Sequence, residues 1–152
     1  MPYSFAATRP VNPPGAEPVI SEEQLWKALE FKARNPQVFV PMISSCKVTV
    51  DEGQKIVREV TIGESTKVIS ETCEAYGATI VYFEMDIGNR ITNVVSYAAD
   101  GSLLLTYSFA NGIPGVPEDK PKPSTAELNA MVGKGVERSI EVIRQMVKEG
   151  KF

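Results

Sequence analysis

Two hydrophobic periods divide the chain. From Ser44 to Phe109 apolar residues recur at every second position, the repeat of a half-buried strand, whereas from Ser124 to about Lys148 they recur every three or four residues, the repeat of a helix face. Strands are expected over Ser45–Val50, Gln54–Gly63, Lys67–Tyr76, Thr79–Ile87, Arg90–Ala98 and Leu103–Phe109. Asp51-Glu52-Gly53, Glu64-Ser65-Thr66, Gly77-Ala78, Gly88-Asn89 and Asp100-Gly101 supply the turns. Connections this short imply antiparallel neighbours. Before the strands, Pro2, Pro10, Pro13, Pro14 and Pro18 mark extended chain, in which Tyr3–Arg9 has room for one edge strand. Ser21-Glu22-Glu23-Gln24 reads as a capping box opening a helix to about Ala33, with Leu25, Trp26, Leu29 and Phe31 or Lys32 on its apolar side. Asn35-Pro36 ends it, and Gln37–Val40 is a second short helix stopped by Pro41.

The C-terminal helix is the element long enough to cover such a sheet. It starts on a second capping box, Ser124-Thr125-Ala126-Glu127, and carries Leu128, Met131, Val132, Val136, Ile140, Ile143 and Met146 on one face. At ~1.5 Å per residue it spans nearly 40 Å, about the width of a six- or seven-stranded sheet. The expected fold is therefore α+β: a curved antiparallel sheet wrapped on a long C-terminal helix, with a short helix pair after the first strand, in one domain over residues 1–152.

Composition narrows the chemistry mainly by what it lacks. There is no histidine, so Ser-His-Asp and Cys-His catalysis are excluded and the commonest transition-metal ligand is missing. Two cysteines, Cys46 and Cys73, form no CxxC pair and read as reduced thiols. No metal site and no cofactor is expected, and acid–base work falls to Asp, Glu, Lys, Tyr or Cys. A net charge of −3 points away from nucleic acid and anionic membranes. No run approaches the ~20 apolar residues of a membrane span, and the N-terminus has no charged-then-apolar leader, so a cytoplasmic protein is expected.

The order of elements resembles the helix-grip fold of the START-like (SRPBCC) superfamily, which includes birch-pollen-allergen-like proteins and polyketide aromatase/cyclases. Ser21-Glu-Glu-Gln-Leu-Trp-Lys-Ala-Leu-Glu-Phe-Lys-Ala-Arg-Asn-Pro36, Phe39-Val-Pro41, Val57-Arg-Glu-Val-Thr-Ile-Gly63, Ile91-Thr-Asn-Val-Val95 and Leu105-Thr-Tyr-Ser-Phe109 resemble its AtaL-like branch. The resemblance implies an apolar cavity between sheet and long helix. It also implies that the loop Ala110–Pro123, with Pro41 opposite, forms the mouth. It implies no particular reaction, because superfamily members include carriers, sensors and cyclases.

Candidate site residues follow from strand phase. Arg58 shares phase with Ile56, Val60 and Ile62 and would orient a carboxylate, enolate or phenolate, unless a neighbouring carboxylate such as Glu74 or Glu84 holds it. Glu84, in phase with Ile80 and Tyr82, is a candidate acid–base group, or else a solvated cross-strand partner of a basic residue. Asn93 and Tyr107 are candidate polar anchors, or internal hydrogen-bonding groups; Tyr82 and Tyr97 are weaker versions of the same idea. On the long helix, Met131, Gly135, Ser139 and Val142 are expected to line the cavity. Gly133 and Gly135 serve either close packing or ligand room.

Three functions are compatible with these features. The first is binding of a hydrophobic small molecule (lipid, aromatic or polyketide-like). The second is a cofactor-free cyclase, isomerase or dehydratase of secondary metabolism using Arg58, Glu84 and Tyr107, in which Arg58→Ala would abolish turnover and leave folding intact. The third is an interaction domain whose interior is filled by side chains.

Overall fold

In the computed structural model, which describes residues 2–152, the elements run β1 (Phe5–Pro10), α1 (Glu22–Arg34), a single 3-10 turn (Pro36–Val38), β2 (Ile43–Asp51), β3 (Lys55–Ile62), β4 (Ile69–Tyr76), β5 (Ile80–Met85), β6 (Arg90–Tyr97), β7 (Leu103–Ala110) and α2 (Thr125–Lys148). Each expected strand and both long helices are present. The second short helix shrinks to the 3-10 turn, because Pro36 and Pro41 bracket too few residues for an α-helical turn to propagate. Among the described residues no helix is long and apolar enough to cross a membrane.

One seven-stranded sheet, in the order β1-β7-β6-β5-β4-β3-β2, is antiparallel throughout. β2 to β7 form a meander, and β1 returns to pair with β7, Ala7 facing Tyr107. The inner face repeats with period two: Ile56, Arg58 and Val60 on β3, Ile69, Glu71 and Cys73 on β4, Val81 and Phe83 on β5, Leu103, Leu105 and Tyr107 on β7. β2 departs from this. Register shifts between Ile43 and Ser45 and between Val48 and Val50 are irregularities that bend the edge strand, and Ser44 and Ser45 both bond the Thr61 hydroxyl, at 2.8 and 2.5 Å.

Both helices begin at the expected capping boxes. The Ser21 and Ser124 hydroxyls each accept from the backbone N–H three residues on, and Gln24 and Glu127 bond back to the cap N–H. α2 straddles two cores. Its first turns bury Leu128 and Val132 against Ala7, Ile113 and Val116. Its later turns bury Val136, Ile140, Ile143 and Met146 against α1 and the sheet. The helix is thus anchored at both ends, and its middle need not close on the sheet.

The two helical glycines sit differently against this frame. A Cβ on Gly133 would lie 1.8 Å from Arg9 Nη2, in a guanidinium that donates to Asn129 at 2.9 Å and pairs with Glu137 at 3.7 Å. A Cβ on Gly135 would meet nothing within 4 Å. Gly135→Ala is therefore expected to stabilise the protein by up to about 1 kcal/mol, the helix-propensity gain. Gly133→Ala should show little or none of that gain, since the methyl displaces Arg9. Urea denaturation of the two variants side by side measures the difference.

Candidate functional site

α1 brings a lysine into the interior because Lys32 belongs to its apolar stripe. Leu25, Ala28, Leu29, Lys32 and Ala33 are its buried residues and follow helical spacing. Lys32 is 7% exposed. Its Nζ donates to Asn93 Oδ1 at 2.8 Å and lies 4.1 Å from the centre of the Tyr107 ring and 5.3 Å from that of Phe83. Among the described residues no carboxylate comes within 4.0 Å of it.

The carboxylate on this wall belongs to Arg58. Arg58 and Glu71 are direct cross-strand partners on β3 and β4, 4% and 1% exposed. Arg58 Nε donates to Glu71 Oε1 at 2.7 Å, and Nη2 donates to the same oxygen. Nη1 donates to the carbonyls of Lys32 and Ala33, at 3.2 and 2.6 Å, and so occupies acceptors that the end of α1 leaves free. Arg34 completes the attachment of α1 through Asp51 on β2, with bonds of 2.8 and 3.0 Å.

Beside this cluster is a cavity of about 280 Å3. Phe39, Val60, Phe83, Ile91 and Phe109 belong to its apolar wall, and Lys32, Arg58, Glu71, Tyr107 and Ser139 are among its polar groups. Pro41 and Met42 on one side, Pro114 on another, and Gly135 and Arg138 on α2 also line it. Among the described residues two buried side-chain atoms have no hydrogen-bond partner within 3.5 Å: the Tyr107 hydroxyl, which Ser139 approaches closely enough to ease its deprotonation without meeting that distance and angle, and Asn93 Nδ2, on the amide that accepts from Lys32.

Burial sets the protonation states. It lowers the Lys32 ammonium to about 7, with the Arg58 charge adding to the effect and Glu71 opposing it. It raises the Tyr107 phenol, which therefore stays a neutral donor, and pushes the Cys73 thiol up to about 12. Cys46 is raised for the same reason, so neither thiol is an activated nucleophile.

Of the residues expected from sequence, Arg58, Tyr107, Gly135 and Ser139 line the cavity, and Asn93 supports it from behind. The partner of Arg58 is Glu71, rather than Glu74 or Glu84. Glu84 and Tyr82 lie on the opposite face: β5 turns Val81 and Phe83 inward, so the alternate positions face solvent. Glu84 pairs there with Arg90, whose guanidinium lies 5.3 Å from the Tyr82 ring, and both charged side chains are about half exposed. Tyr97 is exposed at the end of β6. Met131 is 44% exposed and Val142 packs against the core, because the cavity touches α2 only over the turn Gly135–Ser139. Lys32 and Glu71 were missed. Both stand in phase with apolar neighbours, Lys32 with Leu25 and Leu29, Glu71 with Ile69 and Cys73, and that phase was the available signal.

A bent antiparallel sheet gripping a long C-terminal helix, with a cavity between them, defines a helix-grip protein of the START-like class. The chain belongs to the AtaL family, described as acetylaranotin biosynthesis cluster protein L, which it matches over residues 5–150. It is similar to Ara h 8.0201 at 18% identity, covering 97% of this chain and 98% of that one, with a TM-score of 0.57. It is also similar to two di-domain ARO/CYC proteins. For StfQ of the steffimycin biosynthetic pathway, identity is 8%, TM-score 0.63, and coverage 96% of this chain and 51% of that one. For BexL of the BE-7585A pathway the values are 8%, 0.57, 94% and 49%. The chain spans about half the length of each di-domain protein, and at these identities the likeness is one of fold. No curated protein sequence matches it.

Two predictions follow from the buried charges. Arg58→Ala or Glu71→Ala leaves an unpaired buried ion and should cost about 3–5 kcal/mol, whereas a paired Arg58→Met/Glu71→Leu replacement should recover most of the loss. This replaces the expectation that Arg58→Ala leaves folding intact, and urea denaturation of the three variants tests it. The second concerns pH. Lys32 titrates near 7 folded against an ordinary 10.5, so the unfolded chain binds the extra proton between those values, and stability falls as pH drops from 10.5 through 7. Cys73 opposes this only above its ordinary 9.0. Between pH 7 and 9 the wild type should therefore gain stability with pH relative to Lys32→Met, seen as a difference in chemical-denaturation midpoints.

Proposed function

We propose that this chain binds a hydrophobic small molecule, aromatic or polyketide-like, in the cavity between the sheet and α2, with an oxygen of the ligand directed at the polar end. The observation that carries this reading is an apolar cavity lined by Tyr107, whose buried hydroxyl has no hydrogen-bond partner within 3.5 Å among the described residues. A pocket of this size with a few convergent polar groups is the usual form of a small-molecule site. A bound carbonyl, enolate or phenolate oxygen would accept from Tyr107. The apolar skeleton would lie against Phe39, Ile91 and Phe109. Family membership and the ARO/CYC likenesses support the polyketide-like class. The open space counts against an interior filled by side chains.

A second reading, a cofactor-free cyclase, isomerase or dehydratase, is favoured by Lys32. An amine titrating near 7 inside a cavity is matched to proton transfer at neutral pH. The acid–base group of that reading is Lys32; Glu84 is remote from the cavity.

Native mass spectrometry of freshly purified protein should show a defined apolar metabolite. Gly135→Phe places a large side chain at the cavity edge and should abolish that co-purification with the thermal midpoint retained. Repeated ligand-free spectra of the wild type, across expression hosts and with added aromatic polyketides, would count against binding.

A further inference from the structure

We propose that Lys32 captures carbonyl-bearing ligands, an aldehyde or ketone carried on an aromatic or polyketide-like skeleton, as a reversible imine. The inference rests on the binding reading above and specifies the ligand's reactive group. Three observations support it. Lys32 lines the cavity from the end of α1 and is almost fully buried. The carboxylate that would have neutralised it, Glu71, is taken by Arg58. Among the described residues its one hydrogen-bond acceptor is neutral, the Asn93 carbonyl oxygen.

A lysine kept only for stability would be expected to hold a carboxylate, because a buried ammonium without one is costly. Here burial and Arg58 favour the free amine, which is the nucleophilic form. The rings of Tyr107 and Phe83 favour the cation and hold the stem against the cavity wall. The charged and titratable groups facing Lys32 are Arg58 on β3, Glu71 and Cys73 on β4 and Tyr107 on β7, with Arg138 of α2 also lining the cavity. The amine lies 4.1 Å from the centre of the Tyr107 ring, and that residue's hydroxyl, with no hydrogen-bond partner within 3.5 Å, is the donor for a ligand's carbonyl oxygen.

The step balances without an oxidant or reductant. The Lys32 nitrogen lone pair forms a bond to the carbonyl carbon, and the π pair moves to oxygen, stabilised by the Tyr107 O–H. Proton transfer from nitrogen to oxygen gives the neutral carbinolamine. The C–O bond then breaks, and the oxygen leaves as water with both hydrogens of the original amine, while the nitrogen closes the C=N bond. Hydrolysis reverses the sequence and releases the ligand.

The test uses 2-naphthaldehyde with sodium cyanoborohydride, which fixes an imine as a secondary amine, and 2-naphthalenemethanol as a probe that binds without reacting. Intact mass and peptide mapping should show one dominant adduct on Lys32. It should form at pH 7 at least about tenfold faster than on Lys27 and Lys47, which are exposed and stand outside the cavity. Lys32→Met should remove that adduct. Tyr107→Phe, which keeps the amine and removes the donor, should slow it. The wild-type peptide map decides the matter even if a variant folds poorly. Bound 2-naphthalenemethanol with Lys32 unlabelled overturns the imine and leaves the binding reading standing. Failure of both compounds to bind, with adducts spread over exposed lysines, overturns both.

Discussion

The Arg58–Glu71 pair is the interaction on which the interior depends. It joins neighbouring strands at a directly opposed position, and the same guanidinium reaches up to the last carbonyls of α1. Three elements are thereby fixed by one side chain. Taking two ions out of water is costly, and their attraction alone seldom offsets it. Here the offset comes from multiplicity: Arg58 donates to a carboxylate oxygen and to two helix carbonyls that would otherwise lack partners. A hydrophobic pair could hold the strands equally well. It would not occupy the helix end, and it would leave no buried guanidinium beside Lys32.

That arrangement determines the electrostatics of the cavity. With Arg58 and Glu71 compensating one another, Lys32 is left without a counter-ion, and its charge is set by burial and by a like neighbour. The openness of the cavity has a separate, steric cause. α2 is held at both ends by two cores, so the turn between them can stand off the sheet. Gly135 keeps that turn narrow, whereas Gly133, two residues earlier and on nearly the opposite side of the helix, is taken up by Arg9 lying against the backbone. Pro41 and Pro114, on segments that cannot continue a helix or ladder, complete the lining.

Most of the fold could be read from the chain because period two and period 3.6 are properties of local sequence. Capping boxes, Pro36 and the Gly-containing turns then placed element ends to within a few residues. Reading the site was harder, for two physical reasons. Alternation says which residues share a face without saying which face is inner. On β5 the rows Ile80-Tyr82-Glu84 and Val81-Phe83-Met85 are both rich in large side chains, and only packing on Phe83 decides between them. The partner of Arg58 likewise depends on the register across the β3–β4 turn, which alternation leaves open. Lys32 was visible as a member of an apolar stripe, where a long aliphatic stem is ordinarily read as packing with its charge reaching water. In α1 the charge has no such route, because the sheet lies beyond it.

The polar groups of the cavity fall into two kinds, and the difference bears on what the site can discriminate. Arg58 and Glu71 are satisfied by the protein, so a ligand gains little from them unless it competes with existing bonds. The Tyr107 hydroxyl has no hydrogen-bond partner within 3.5 Å, and Lys32 has given up one donor to a neutral acceptor. An apolar wall alone separates ligands differing by a methylene only weakly, whereas a buried group waiting for a partner penalises any ligand that cannot supply one. A pure hydrocarbon would fill the space and leave the Tyr107 hydroxyl buried and unpaired. An oxygenated skeleton of the same shape would satisfy it. Selectivity in this cavity should therefore track the position of one oxygen at the Lys32–Tyr107 end more closely than the size of the ring system, and a carrier and a catalyst built on this fold would share that first requirement.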